Sequence, residues 1–303
     1  MFLNSYLILY FGGFIVKEKN KGILFILLAG VFFASMTICS RLSGDLPTAQ
    51  KAFFRNLFAA ILAFFMLLRN GHNFEYKTQY LPALIIRSIC GTAGILCNFY
   101  AIDQLVVSDA NILNKVSPFA AKVFSFLFLK EKIKPSQLFT LTGAFIGALL
   151  VIRPSFDFSE VAPGFIGLLG GIMAGAAYTA VRYLGQKGLE SMKIVFFFSA
   201  FSCISILPLV LLHYSPMDGK QLFFLILCGV CAAGGQICIT KAYTFAPASE
   251  ISIYDYFQIF VAAVLGFFIF NQIPDAWSIV GYCVIFIMSF INWWNANHSN
   301  IKN

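Results

Sequence analysis

Apolar residues occur along this chain in long runs that short polar loops separate. Each run is about 20 residues long, the length an α-helix needs to cross the hydrocarbon core of a bilayer. Polar residues do not alternate with apolar ones within the runs, so the pattern predicts transmembrane helices rather than the strands of a barrel. The ten predicted spans are 22–41, 49–69, 80–101, 107–129, 135–153, 163–183, 192–213, 220–245, 249–270 and 275–295.

The first five runs return in the last five at a constant offset of 141 residues. Ser108-Asp109 corresponds in this register to Ser249-Glu250. Identical residues also stand at Leu28 and Leu169, Gly30 and Gly171, Arg41 and Arg182, Cys90 and Cys231, and Phe126 and Phe267. A self-match this long indicates an internal duplication. Because each unit has five crossings, the second must enter the membrane upside down, which predicts two inverted-topology five-helix repeats.

This reading divides the chain into five parts. Residues 1–21 form an N-terminal segment, 22–153 the first repeat, 154–162 an external linker, 163–295 the second repeat and 296–303 a cytoplasmic tail. The stretch 1–15 is apolar but has neither a basic start nor a clear cleavage site, which argues against a secretory signal. We hypothesise that native translation begins at Val16.

Composition supports the same fold class. Apolar residues make up 59% and charged residues 11% of the 303 residues, whereas soluble domains have about 45–50% and about 25%. A soluble chain of this length could not bury so much apolar surface, so we predict an all-α integral membrane protein.

The formal net charge of +8 reflects membrane topology rather than nucleic-acid binding. Basic residues collect in alternate short loops, and the positive-inside rule places those loops and both termini in the cytoplasm. The residues are Lys17, Lys19, Lys21, Arg69, Lys77, Lys130, Lys132, Lys134, Lys187, Lys193 and Lys302. We expect the lipid bilayer and a small molecule as partners, and no nucleic acid.

Charged residues deep in the apolar runs are candidates for function, because burying a charge in lipid is unfavourable. Lys115 and Asp255 lie about two turns inside the fourth and ninth predicted helices. The duplication pairs Asn114 with Asp255, so the two helices are equivalent and each carries a polar face. The candidate substrate-binding residues are Asn111, Asn114, Lys115, Tyr178, Ser252, Tyr254, Asp255 and Gln258, with Arg55 and Arg87 as secondary candidates.

We hypothesise that these faces line a water-filled cavity between the repeats. The opposite charges of Lys115 and Asp255 would suit a zwitterionic or amino-acid-like metabolite. The alternative is an internal ion pair that only holds the bundle together. For Arg55 and Arg87, contact with substrate competes with pairing to a carbonyl or reaching the headgroups. Arg41, Arg182 and Lys241, near helix ends, are expected to reach the headgroups.

The chain resembles the EamA family of the drug/metabolite transporter superfamily over roughly residues 20–295. The resemblance rests on the two five-helix units, on Arg55 early in the second helix, and on the run Phe126-Leu127-Phe128-Leu129-Lys130-Glu131-Lys132 that ends the fourth helix. It implies a secondary transporter of the bacterial inner membrane that moves a small organic metabolite by alternating access. Substrate, direction of transport, coupling ion and oligomeric state, monomer or homodimer, stay open.

Other function classes find little support. The sequence has no His-Glu-x-x-His pair, no Gly-x-Ser-x-Gly turn and no phosphate-binding loop, so we expect no enzyme, no metal and no cofactor. Cys228 and Cys231 have the spacing of a redox or metal pair but lie in an apolar run, where they are interpreted as packing residues. The alternative function is a membrane scaffold or assembly protein that transports nothing.

Overall fold

The computed structural model describes residues 18–71, 75–104, 113–152, 161–271 and 276–298. Within these ranges the chain forms ten long helices and no strand. The helices are α1 Glu18–Leu42, α2 Thr48–Arg69, α3 Leu81–Gln104, α4 Ser117–Leu129, α5 Pro135–Ile152, α6 Val161–Gln186, α7 Ser191–Leu212, α8 Gly219–Phe245, α9 Phe257–Phe270 and α10 Ala276–His298. The prediction of ten helices is confirmed.

The helices have the length and surface of a membrane bundle. In the described part of the chain, eight helical segments are long and apolar enough to cross a bilayer, and α4 and α5 are shorter apolar helices. Large apolar side chains point outward; Phe128 is 73% exposed and Phe268 is 74% exposed. Such a surface is unfavourable in water and matches acyl chains, so the integral membrane class is confirmed.

The packing of the helices follows the duplication. Helix α1 packs on α8 as α6 packs on α3, and α1 packs on α9 as α6 packs on α4. Helices α2 and α7, and α5 and α10, each pack on their own repeat mate, and α2 packs on α8 as α7 packs on α3. Exchanging the repeats leaves this scheme unchanged, as expected of inverted repeats related by a twofold axis in the membrane plane.

Glycines in both helices let α5 and α10 cross closely. A Cβ atom added to Gly147 would lie 2.9 Å from the Gly281 carbonyl oxygen, and one added to Gly281 would lie 2.6 Å from the Gly147 carbonyl oxygen. Each backbone therefore occupies the space of the other's missing side chain. Such small-residue contacts let helices approach closely in lipid, where burial of apolar surface does not drive association.

Two predicted helices are interrupted at their polar faces. A single helical turn Ala248–Ile251 and a 3₁₀ segment Ser252–Tyr256 precede α9, and a turn at Lys115 and Val116 precedes α4. Pro118, in the first turn of α4, has no N–H to bond the carbonyl one turn earlier, which favours the interruption there. The predicted continuous helices 107–129 and 249–270 are therefore wrong at these points, which we call the paired breaks.

Both described ends of the chain lie on one face of the bundle. Lys19, near the start of α1, pairs with Glu250 at 3.5 Å. Asn292, near the end of α10, donates a hydrogen bond of 3.2 Å to the Glu250 carbonyl oxygen. We call this side the terminal face and the opposite side the distal face.

Candidate functional site

A cavity of about 760 Å³ lies between the two repeats, within the range of small-molecule sites. Both repeats contribute polar side chains to its wall, including Arg55, Asn114 and Lys115 from the first and Asp255 and Gln258 from the second. The paired breaks meet at this wall, so the cavity lies where the two polar faces were predicted to converge.

Lys115 and Asp255 form an ion pair in the cavity wall. The Lys115 Nζ atom lies 3.0 Å from Asp255 Oδ2 and 3.0 Å from Gln258 Oε1. It also donates to the Asp255 carbonyl oxygen at 3.3 Å. Lys115 and Asp255 are only 7% and 8% exposed, and a pair taken this far out of water persists only when further polar groups surround it.

A second bond ties the paired breaks together. The Tyr256 hydroxyl donates to the Lys115 carbonyl oxygen at 3.0 Å, while Lys115 reaches the carbonyl oxygen of Asp255, the neighbour of Tyr256. Each interruption therefore supplies a hydrogen-bond donor for a backbone carbonyl oxygen of the other, and lipid could supply none. Tyr256 is fully buried, and in the duplication it is the equivalent of Lys115.

Replacing Tyr256 with phenylalanine is expected to lower the free energy of unfolding by about 1–3 kcal/mol, because a buried carbonyl loses its partner. Thermal denaturation in detergent measures the loss. Tyr80→Phe is the matched control, since the Tyr80 hydroxyl makes a similar bond of 3.1 Å to the Lys187 carbonyl oxygen at an exposed site. An equal loss of unfolding free energy in the two variants would show that the Tyr256 bond stabilises the protein no more than an exposed hydrogen bond does.

Arg55 and Arg87 also line the cavity. The Arg87 guanidinium lies 3.9 Å above the centre of the Phe198 ring, and Arg55 lies 5.9 Å from the centre of the Phe33 ring. Each side chain therefore faces the cavity and lies beside an aromatic ring.

The other predicted site residues divide into two groups. Asn114 and Tyr178 line the cavity. Ser252 and Tyr254 are instead buried in the packing of the bundle, 0% and 7% exposed, and do not line it. Asn111 lies outside the described residues.

The cavity is closed toward the terminal face by a group of contacts that we call the terminal seal. Tyr178 stacks on Tyr243 with ring centres 4.8 Å apart. Below them, Arg182 Nε lies 2.8 Å from Glu131 Oε1, and Arg182 also donates to the Thr244 carbonyl oxygen at 3.0 Å. The expectation that Arg182 reaches the headgroups is wrong, because Glu131 is brought beside it by the packing of α4 on α6.

Toward the distal face the cavity extends between helix ends. Its outer wall includes Arg41 at the end of α1, Lys51 in the first turn of α2 and Asn98 near the end of α3. Sequence reasoning did not place these three in the site. Helix α6 packs on α8 at the terminal seal, whereas the equivalent helices α1 and α3 make at most marginal contact in the described residues. The two repeats thus differ in this packing: the contact of α6 with α8 closes the cavity at the terminal face, and the gap between α1 and α3 leaves it open at the distal face.

The described residues offer no group of three or more His, Cys, Asp or Glu side chains placed to hold a metal ion. Cys228 lines the cavity and is a free cysteine, as is Cys231. The chemistry available in the cavity is therefore that of ionic contacts, hydrogen bonds and aromatic faces.

Comparison with known proteins gives consistent results. A model of the EamA-like transporter family matches the chain twice, over residues 20–153 and 163–294. The pseudopaline exporter CntI of Pseudomonas aeruginosa is 30% identical over 270 residues, which cover 88% of this chain and 94% of that protein. Solute carrier family 35 member G1 of Homo sapiens is 24% identical over 280 residues, covering 87% and 76% of the two chains.

Two further likenesses extend the comparison. The S-adenosylmethionine uptake transporter of Rickettsia felis is 23% identical over 275 residues, covering 89% of this chain and 91% of that protein. A solved crystal structure superposes with a TM-score of 0.81 at 12% identity, covering 91% of this chain and 98% of that one. This last likeness shows the fold.

Proposed function

Because the chain belongs to the EamA-like transporter family, we propose that it is a secondary transporter that moves a small organic metabolite across the bacterial inner membrane by alternating access. Its relatives are named as an exporter and as an uptake transporter. The family and these names support a membrane transporter, and they favour neither direction of transport.

The observation that carries the proposal is the ion pair of Lys115 and Asp255 in the wall of a cavity between inverted repeats. Intramembrane charges are expensive and mark substrate or ion pathways. Interrupted helices at a repeat interface are a recurring form of transporter binding site. A scaffold needs neither a cavity nor charges at this depth.

Alternating access requires that one end of the cavity be closed while the other is open. The terminal face carries Lys130, Lys132, Lys134 and Lys187 in short loops, so the positive-inside rule makes it the cytoplasmic face. The terminal seal is then a cytoplasmic gate, and the cavity faces outward. In the opposite state, α1 would pack on α3 and α6 would separate from α8.

The orientation has a direct test. A membrane-impermeant maleimide applied to intact cells should label Asp45→Cys, between α1 and α2, in a variant whose native cysteines are replaced. Lys132→Cys, between α4 and α5, should be labelled only after the cells are permeabilised. The reverse pattern would place the terminal face outside and contradict the assignment.

The proposed activity is tested by metabolite pools followed by flux. Strains that lack or overproduce the protein should differ in the distribution of a small metabolite between cells and medium. The purified protein in liposomes should then move that metabolite, and empty liposomes should not. Two results together would contradict the proposal and favour a scaffold: metabolite pools that do not change between the strains, and liposomes that exchange no solute from an extract of the cells.

A further inference from the structure

The two repeats share a fold but contribute unequal charge to the cavity. Arg55 and Arg87, both in the first repeat, line it. Their equivalents in the second repeat are Phe196 and Cys228. The same backbone positions therefore accept a phenyl ring or a thiol, and the fold itself does not require a cation at either. The duplication serves as an internal control that separates folding from another role.

Neither guanidinium is neutralised by an acidic side chain of the described residues. Asp255, the acidic residue of the cavity wall, is already paired with Lys115 at 3.0 Å. Within the described ranges, no acidic side chain forms an ion pair with Arg55 or Arg87. Arg87 is only 3% exposed, and its Nε atom is buried without a hydrogen-bond partner. A buried charge with an unmet donor is costly unless a counter-charge joins it.

The structure around Arg87 holds the guanidinium in place. The ring of Phe198 lies against one face of it. Gly91 leaves room for this stack: a Cβ atom added there would meet the guanidinium and lie 2.7 Å from the Phe198 ring. The equivalent of Gly91 in the second repeat is Ala232, one turn after Cys228, the equivalent of Arg87. A donor group positioned in advance binds its partner with less loss of conformational entropy.

Given the proposed transport function, on which this inference rests, we infer that the cavity takes an organic anion whose carboxylate or phosphate group is bound by Arg55 and Arg87. The planar guanidinium matches such oxyanions with two parallel hydrogen bonds. Arg41 and Lys51 at the distal end of the cavity add positive potential along the route inward. The zwitterion expected from Lys115 and Asp255 loses its basis, since each of these charges already neutralises the other.

The test uses the full-length protein in detergent and a bacterial small-molecule extract separated by charge into anionic, neutral and cationic fractions. Thermal stabilisation by each fraction is measured for the wild type, Arg55→Gln and Arg87→Gln. Arg69→Gln is the matched control, because Arg69 is an exposed arginine at the far end of α2. Arg87→Cys, which installs the second repeat's own residue, provides a variant that this fold already accommodates.

The anionic fraction should stabilise the wild type and Arg69→Gln. The concentration of the anionic fraction needed for half of the full stabilisation should rise by about 10- to 100-fold in Arg55→Gln and Arg87→Gln. This is the loss of affinity expected when one hydrogen-bonded charge pair is removed. Phosphatase treatment of the fraction distinguishes the two oxyanions, since carboxylates survive it. The inference would be overturned if the neutral or cationic fraction stabilised the protein and Arg55→Gln and Arg87→Gln did not change that effect. It would also be overturned if none of the three fractions stabilised the wild type.

The same variants separate this inference from the transport function. If liposome flux is present but carries a neutral or cationic solute and survives Arg87→Gln, the anion assignment is wrong and the transporter assignment stands. If the anionic fraction binds but no flux occurs, the anion assignment stands and the transporter assignment is wrong.

Discussion

Replacing Lys115 with methionine is expected to abolish transport and to lower the free energy of unfolding by about 3–5 kcal/mol, because Asp255 is left charged and unpaired inside the bundle. Asp255 is 8% exposed, so water replaces the lost ammonium group only in part. Flux per folded protein, with folding checked by size-exclusion chromatography, measures the first effect, and denaturation measures the second.

The double variant Lys115→Met with Asp255→Asn distinguishes a structural from a functional pair. Removing both charges should recover most of the stability, since a neutral pair carries no desolvation penalty, while transport stays absent. Lys122→Met, in the helix α4 that follows Lys115, is the control: Lys122 is 2% exposed, and its Nζ atom donates to the Gln137 carbonyl oxygen at 3.0 Å, away from the cavity. Wild-type flux in Lys115→Met would contradict the assigned site.

Replacing Arg182 with glutamine is expected to shift the equilibrium from the outward-open to the inward-open state by at least about tenfold, which corresponds to about 1.4 kcal/mol. Arg182 joins α6 to the α8 carbonyl oxygen of Thr244 at 3.0 Å, a bond that the separation of α6 from α8 breaks, and Glu131, 2.8 Å from Arg182 Nε, holds the guanidinium in this position. The equivalent of Glu131 in the second repeat is Gln272, so the second repeat has no carboxylate at the position that pairs with Arg182 in the first. We therefore expect the unliganded protein to favour the outward-open state.

Thiol labelling from the cytoplasmic side measures this shift. Thr240, which is 1% exposed, lies on α8 between the cavity residue Gln236 and the terminal seal. A cysteine at this position should react about tenfold faster in Arg182→Gln than in the parent, in a variant without native cysteines. Lys132→Gln removes an exposed charge from the same loop as Glu131 and should leave the rate unchanged. No acceleration in Arg182→Gln would show that the ion pair does not control closure.

The sequence predicted the architecture because lipid and duplication both constrain it. Runs long enough to cross a bilayer must be helices or barrel strands, and the 141-residue offset relates the two sets of five. The same offset placed Asn114 and Asp255 at equivalent points of the repeats. It could not show that Lys115 contacts Asp255, because that contact depends on how α4 and α9 meet across the interface.

Two errors have identifiable physical causes. Tyr254 was assigned to the cavity because α-helical periodicity puts it on one face with Asp255 and Gln258, but the segment is a 3₁₀ helix. With about 3.0 residues per turn instead of about 3.6, neighbouring side chains lie about 120° apart, so Tyr254 turns away from Asp255. Ser252 was assigned as the equivalent of Asn111 and is instead covered by the packing of the bundle. Arg182 was treated as a lone charge because Glu131 follows a different helix and approaches it only in the folded bundle.

Alternating access, the proposed mechanism, requires the two ends of the cavity to open in turn. Spin labels at Asp45 and Gln104 report the distal ends of α1 and α3, and labels at Lys187 and Phe245 report the terminal ends of α6 and α8. Distances measured by double electron–electron resonance should be long for the distal pair and short for the terminal pair in the parent, and Arg182→Gln should reverse both together. Distances that both lengthen, or that do not respond to Arg182→Gln, would contradict alternating access in this protein.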